Sequence, residues 1–213
     1  MIDVDKIKHN AETIVNIAKK AGIDVIGVTK ATCGDPKVAK AMLLGGCTGI
    51  ADSRITNIKH MKKEGIKTNF MQLRTPMISE IEDVVKYSDI SLNTELKVIK
   101  KLSEVAIKQN KKHKIILMVE MGDLREGIPE KNLDEIIKKI KSLDGIDLYG
   151  IGMNLACFGG VVPTEEKIEG FLEVVKKTEE KHDINFEMIS GGNSANIPHL
   201  LKTQEKTRIN NQI

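Results

Sequence analysis

Short apolar runs alternate with longer amphipathic segments along the whole chain. Residues 25–28 form a β-branched apolar run of the kind found in buried parallel strands. Residues 5–21 before it place apolar side chains on one helical face and end at Gly22. Asp35 and Pro36 are a good N-cap and first residue for the next helix, at about 36–44. The same alternation predicts further strands at about 49–51, 69–73, 89–92, 114–121, 147–153, 186–190 and 207–213. It predicts further helices at about 55–63, 79–86, 94–109, 133–143, 165–181 and 195–201.

Eight strands that alternate with helices within 213 residues predict an α/β protein, a (β/α)₈ barrel of the TIM type. The final strand is weak, so the barrel could be incomplete at its last strand and helix. The alternative is an open doubly wound sheet, but no G-x-G-x-x-G motif follows the first strand. Because no linker rich in Pro, Gly or Ser interrupts the alternation, residues 1–213 are expected to form one domain.

Composition and charge exclude several classes of function. Lys and Arg number 33 against 30 Asp and Glu, interleaved along the helices, and the net charge is only +3. This balance argues against nucleic acid or a membrane surface as the main partner. Trp is absent, no apolar span approaches the roughly 20 residues that cross a bilayer, and the N-terminus does not resemble a secretory signal. The widely spaced Cys33, Cys47 and Cys157 form neither a zinc pattern nor a disulfide framework. A cytoplasmic protein without a metal site is expected.

Lys30 stands where the first strand ends and a loop of small residues begins. In parallel α/β proteins the carboxyl ends of the strands form the face at which catalytic groups collect. A partly desolvated lysine there can lose its proton and form a Schiff base with a carbonyl compound. The position alone also fits a lysine that simply solvates the surface.

Two further segments at predicted strand ends carry binding chemistry. The Gly-Gly-Asn-Ser turn at 191–194 leads into a helix, and its backbone amides with the Ser194 hydroxyl could bind a phosphate. A flexible turn with Ser194 as an ordinary N-cap is the alternative. Arg125, between two glycines after the fifth strand, could hold a carboxylate. It could also be a surface arginine paired with Glu126 or Asp123.

Arg74 and Arg54 also follow strands and have weaker claims to substrate binding. The histidines, such as His9, His60 and His113, fall at helix or loop positions where exposure is expected, and no chemistry is assigned to them. A Schiff-base lysine, a phosphate-binding turn and a strand-end arginine together suggest pyridoxal 5′-phosphate held in a barrel. Such a cofactor supplies the electron sink, and the protein supplies binding and a base.

Several segments of the chain resemble motifs of one enzyme family. VTKATCG around Lys30 resembles the segment with the cofactor lysine in alanine racemase-like, fold-type III pyridoxal-phosphate enzymes. IILMVEMGDLREGI, GIGMNL and SGGNSAN are similar to later motifs of the same enzymes, in the same order. IADSRI, LRTPMISEIEDVV and NLACFGG are more similar to the alanine/ornithine racemase branch of amino-acid racemases. The resemblance covers essentially the whole chain.

The resemblance implies a role for each matched residue. Lys30 would form the internal aldimine and act as one of the two racemisation bases. Arg125 would contact the phenolate side of the cofactor and the substrate carboxylate. Asn154 would lie near the cofactor ring, and Ser194 with the neighbouring backbone amides would bind the phosphate. The implied cofactor-binding set is Lys30, Asn154, Gly191, Gly192, Asn193 and Ser194.

The resemblance also implies an amino-acid racemase with a small amino-acid substrate, α-proton abstraction and a homodimer in the intact family member. Two positions depart from the family, since Met118 stands where a modified lysine often supports the arginine and Cys33 replaces a tyrosine. Family members continue into a β-domain with the second base, preceded by an arginine that faces the pyridine nitrogen. This chain is expected to lack both and to be impaired as a racemase.

Two alternatives to a racemase remain open from the sequence. The first is a non-catalytic pyridoxal-phosphate carrier with the same single-barrel fold, which the length favours. The second is a barrel enzyme without a Schiff base, acting on a substrate such as a sugar phosphate. The motif details favour the racemase.

Overall fold

The eight parallel strands form a closed barrel in chain order, as the sequence predicts. The computed structural model describes residues 2–157, 160–203 and 206–213. The strands are β1 (Asp24–Val28), β2 (Gly49–Asp52), β3 (Asn69–Gln72), β4 (Ile90–Asn93), β5 (His113–Val119), β6 (Ile146–Met153), β7 (Met188–Ser190) and β8 (Asn211–Gln212). Because every strand pairing is parallel, all the carboxyl ends lie at one end of the barrel.

Helices surround this barrel. They are α1 (Val4–Lys20), α2 (Pro36–Leu44), α3 (Ile55–Lys63), α4 (Ile81–Tyr87), α5 (Leu96–Lys108), α6 (Glu130–Ile140), α7 (Glu165–His182) and α8 (Ile197–Thr203). The Asp35 side chain accepts hydrogen bonds from the amides of Lys37 and Val38, which confirms it as the N-cap of α2. Among the helices in the described ranges, none is long and apolar enough to cross a membrane.

Apolar side chains fill two layers, one on each side of the sheet. The larger layer lies between the strands and the helices and includes Ile50, Phe70 and Ile115, all fully buried. The smaller layer fills the barrel interior and includes Ile116 and Met118 of β5. Because the interior is packed with side chains, a ligand can enter only at the ends of the barrel.

Several element bounds differ from the sequence prediction around the fifth strand. β5 ends at Val119 rather than at residue 121, and α6 begins at Glu130 rather than at 133. The chain turns back here, since the Ile128 amide donates to the Met118 carbonyl and the Glu120 amide to the Ile128 carbonyl. These bonds replace continued pairing with the neighbouring strand. The apolar pattern did not reveal this return.

The last strand is shorter than predicted but still closes the barrel. β8 covers Asn211–Gln212 rather than 207–213. It pairs with β1 through Asp24 and Val25, and with β7 through Ser190. The sheet is therefore continuous around all eight strands.

The prediction that the histidines are exposed is wrong for His113. This residue opens β5 and is 3% exposed, and its Nε2 lies 2.9 Å from Oγ of Ser91. Burial, which disfavours the charged imidazolium, lowers the pKa of His113 from 6.5 to about 4. His182, near the end of α7, is also buried, with Nε2 3.0 Å from Oδ1 of Asp134.

Candidate active site

A cavity of about 230 Å³ opens at the carboxyl ends of the strands. Apolar side chains from the top of the barrel interior, including Leu92 and Met118, line part of it. Most of the residues singled out from the sequence reach it, although they come from five different strand ends. Those that line the cavity are Lys30, Arg74, Arg125, Asn154, Gly192 and Asn193.

Three other candidates do not line this cavity. Arg54 is exposed at the N-cap position of α3. Gly191 is buried, and a Cβ at this position would contact Ile209 and Gln212. Ser194 is exposed and lines a second, apolar cavity of about 390 Å³ among α1, β1 and α8. The phosphate and substrate roles of these residues stay predictions.

A buried carboxylate fixes the loop that carries Lys30. Thr29, directly before the lysine, is fully buried and donates its hydroxyl to Oδ2 of Asp52 at 2.8 Å. Oδ1 of Asp52 accepts from Nδ2 of Asn57 and from the Arg54 amide, each at 3.0 Å. Asp52 thus ties β1, β2 and α3 together beneath Lys30. The sequence placed Asp52 at a strand end but assigned it no function.

The Arg125 loop is shaped by a second carboxylate and by unusual backbone angles. Oε1 of Glu120 accepts hydrogen bonds from the amides of Gly122, at 2.5 Å, and Leu124, at 3.1 Å. Gly122, Leu124 and Gly127 all have positive φ, of 119°, 53° and 139°. For Gly127 no other residue would fit, since a Cβ would lie 2.5 Å from the Glu120 nitrogen. This conformation places Arg125 at the cavity.

Arg125 and Glu126 have partners other than each other. A guanidinium nitrogen of Arg125 donates to the Cys157 thiol, whereas Oε1 of Glu126 accepts from Nδ2 of Asn154 at 3.2 Å. Nδ2 of Asn193 in turn donates to Oδ1 of Asn154 at 2.7 Å. The strand ends of β5, β6 and β7 are therefore joined by one chain of side-chain hydrogen bonds. Glu126 lines the cavity, and the sequence had considered it only as a partner for Arg125.

The turn after β7 is held so that two of its amides, those of Asn193 and Ser194, face away from Gln212 of β8. Nε2 of Gln212 donates to the carbonyl of Gly192 at 2.5 Å and also to the carbonyl of Asn193. In a trans peptide the N–H points opposite to the carbonyl, so the amides of Asn193 and Ser194 point away from Gln212. Gly192 has φ +96°, and a Cβ there would lie 2.8 Å from the Met153 carbonyl oxygen. Backbone donors next to a residue without a side chain can approach an anion closely.

Comparisons with known proteins identify the family of the chain. The sequence profile of the family described as "Alanine racemase, N-terminal domain" matches residues 2–208. A lysine racemase of Thermotoga maritima is 39% identical over 194 residues, which are 91% of this chain and 54% of that protein. An ornithine racemase of Acetoanaerobium sticklandii is 40% identical over 197 residues, which are 92% of this chain and 55% of that protein.

Solved structures show the same fold. An alanine racemase of Clostridium difficile superposes with a TM-score of 0.81 at 21% identity, over 99% of this chain and 55% of that one. The chain thus spans about half the length of the proteins it matches. The profile match covers nearly all of the chain, and two relatives share about two fifths of its residues. On these grounds the chain belongs to the alanine racemase N-terminal domain family.

Proposed function

We propose that residues 1–213 are the pyridoxal 5′-phosphate-binding barrel of an amino-acid racemase. The observation that carries the proposal is the shared cavity, in which Lys30 meets Arg125, Asn154 and the turn after β7. The substrate would be a small amino acid, such as alanine or ornithine. The intact protein would act in the cytoplasm as a homodimer, as the family resemblance implies.

The residues around the cavity fit this cofactor. Its phosphate requires donors, and the amides of Asn193 and Ser194 point away from the Gln212 side chain that binds the turn's carbonyls. Gly192 lets the turn pack against the end of β6, because a Cβ there would lie 2.8 Å from the Met153 carbonyl oxygen. A cofactor aldehyde would need a primary amine, and Lys30 lines the same cavity. When bound, pyridoxal phosphate supplies an electron sink for the carbanion that forms when Cα loses its proton.

The chain's own residues would divide the remaining work. The guanidinium groups of Arg125 and Arg74 are suited to orient a substrate carboxylate by charge-assisted hydrogen bonds. The Lys30 amine is suited to take the proton from one face of Cα, because its loop is anchored through Thr29 and Asp52. Racemisation needs an acid–base group on each face, and Lys30 would serve one of them. The apolar side chains of Leu92 and Met118 would limit water at the cavity floor.

The proposal is tested by reconstituting the protein with pyridoxal phosphate and recording its visible absorbance before and after borohydride. We expect a visible band and a reduced adduct that peptide mass spectrometry maps to Lys30, both lost in Lys30→Ala. Lys37→Ala is the matched control, because Lys37 is exposed at the start of α2 and does not line the cavity. An adduct on another lysine would refute the assignment.

The same preparation separates the remaining candidate functions. Interconversion of D- and L-amino acids, measured by chiral chromatography, would distinguish a racemase barrel from a cofactor carrier even at a trace rate. A barrel enzyme without a Schiff base would give neither the visible band nor the adduct. Racemisation without any bound cofactor would contradict the proposed chemistry.

A further inference from the structure

Glu126 is negatively charged, whereas the other charged residues that line the cavity are cationic. The charged residues around it, among those the structure describes, are Lys30, Arg74, Arg125 and Glu126. Oε1 of Glu126 is bound by Asn154 at 3.2 Å. Within the described ranges of the chain, no ion pair and no hydrogen bond involves Oε2. One carboxylate oxygen is thus fixed by the protein, and the other is available to a ligand.

The orientation of this carboxylate is set by the protein rather than by solvent. Asn154 cannot turn its amide over freely, because its Oδ1 accepts from Asn193 at 2.7 Å. Asn193 is itself fixed, since its Nδ2 also donates to the Leu155 carbonyl at 2.8 Å and its Oδ1 accepts from the Ala195 amide at 2.7 Å. An oriented amide is therefore held against Glu126. A group positioned in this way is pre-organised for binding, because little ordering is needed when the ligand arrives.

The balance of charge indicates what the ligand must bring. A phosphate carries about −1.5 to −2 at neutral pH, and the α-carboxylate of an amino acid adds one more negative charge. Together these anions already exceed the charge of the two guanidinium groups, Arg74 and Arg125, because Lys30 would react with the cofactor aldehyde or act as a neutral base. Glu126 then remains without a counter-charge. A carboxylate desolvated by a bound ligand is costly unless a cation pairs with it.

We propose that Glu126 binds the side-chain ammonium of an α,ω-diamino acid, so that the substrate class is basic rather than neutral amino acids. This inference rests on the proposed racemase function and adds its specificity. The terminal ammonium of such a substrate would donate to Oε2 of Glu126, while Asn154 keeps Oε1 in place. Alanine has no such group and would leave Glu126 unpaired. Discrimination of this kind is strong because the wrong substrate leaves the half-buried carboxylate of Glu126 without a partner for Oε2.

The test compares ligands and variants by affinity. The protein loaded with pyridoxal phosphate is titrated with L-ornithine, L-lysine and their analogues without the terminal amine, norvaline and norleucine. Dissociation constants come from the change in cofactor absorbance and from calorimetry. In Glu126→Gln the amide oxygen can still accept from Asn154, so only the charge is removed. Glu130→Gln is the matched control, because Glu130 is exposed at the start of α6 and does not line the cavity.

We expect the diamino acids to bind about 10-fold to 100-fold more tightly than these neutral analogues. Glu126→Gln should abolish this difference, whereas Glu130→Gln should preserve it. A preference that survives in Glu126→Gln, or none in the unaltered protein, overturns the inference. If Glu126→Gln lowers kcat equally on ornithine and alanine and leaves KM unchanged, the inference is also overturned, because that result indicates a role of Glu126 in proton transfer. Absence of both cofactor binding and racemisation would overturn the proposed function and this inference with it.

Discussion

Replacement of Asp52 tests whether the loop of Lys30 depends on the carboxylate beneath it. Asp52 is fully buried and accepts from the Thr29 hydroxyl, the Asn57 amide group and the Arg54 backbone amide. In Asp52→Ala, the Thr29 hydroxyl retains only weak partners, the Ala51 carbonyl at 3.4 Å and the Met61 sulfur at 3.8 Å. In Asp52→Asn the shape is kept, and the Thr29 hydroxyl can accept from the new NH₂ group instead of donating.

The expected loss in the free energy of unfolding follows from the exposure of the three hydrogen-bond donors to Asp52. A hydrogen bond to a charged group contributes about 1.5–3 kcal/mol. Arg54 is exposed and Asn57 half-buried, so their donors regain water when the carboxylate is removed, whereas Thr29 cannot. We therefore expect Asp52→Ala to lower the free energy of unfolding by about 3 kcal/mol and Asp52→Asn by about 1 kcal/mol. For a domain of this size the corresponding losses in Tm are about 6–12 °C and about 2–4 °C.

Thermal and urea unfolding of the two variants measure these values, with Asp144→Ala as the control. Asp144 is exposed between α6 and β6, so its removal should change the stability by less than about 0.5 kcal/mol. Cofactor affinity is the second readout, and Asp52→Ala should weaken it more than Asp52→Asn does. If Asp52→Ala is as stable as the control and binds cofactor equally well, the Asp52 network does not position Lys30.

Two further predictions concern protonation and backbone conformation. Because burial lowers the pKa of His113 to about 4, the unfolded state binds more protons between pH 6.5 and 4, and stability should fall by roughly 3 kcal/mol across that range. Urea unfolding at several pH values should show that the free energy of unfolding falls less steeply with decreasing pH in His113→Asn than in the unaltered protein. His60→Asn should not differ from the unaltered protein, because the His60 ring is exposed. The same pH dependence in both variants would contradict the role of His113. Gly192→Ala should destabilise the fold by about 2 kcal/mol or more and weaken cofactor binding, because φ is +96° and the Met153 carbonyl would lie 2.8 Å from the new Cβ. Gly170→Ala, inside α7, should instead stabilise the fold by about 0.5–1 kcal/mol. If both glycine variants lose stability, the positive φ of Gly192 is not the cause of the loss in Gly192→Ala.

The barrel and the position of Lys30 could be predicted because both depend on local patterns. The periodicities of strands and helices can be recognised in short segments of sequence. A lysine that follows an apolar run lies at the end of that strand, whatever the strand packs against. The element bounds were less predictable around β5, where the sequence predicts a strand up to residue 121 but the strand ends at Val119. There the return of Ile128 onto Met118 and Glu120 decided the outcome. Such a return depends on backbone angles that the apolar pattern does not encode.

Only the tertiary structure decided which strand-end residues meet. The sequence ranked Arg74 and Arg54 alike, yet Arg74 lines the cavity and Arg54 does not. The links from Asn193 through Asn154 to Glu126 span gaps of 39 and 28 residues, so they depend on barrel register and loop shape. By itself the sequence determined the alternation of strands and helices, the parallel barrel, and which end of the barrel carries the candidate catalytic residues. The pairing of particular side chains, and the burial that shifts the pKa of His113, required the closed sheet, because they arise between segments far apart in the chain.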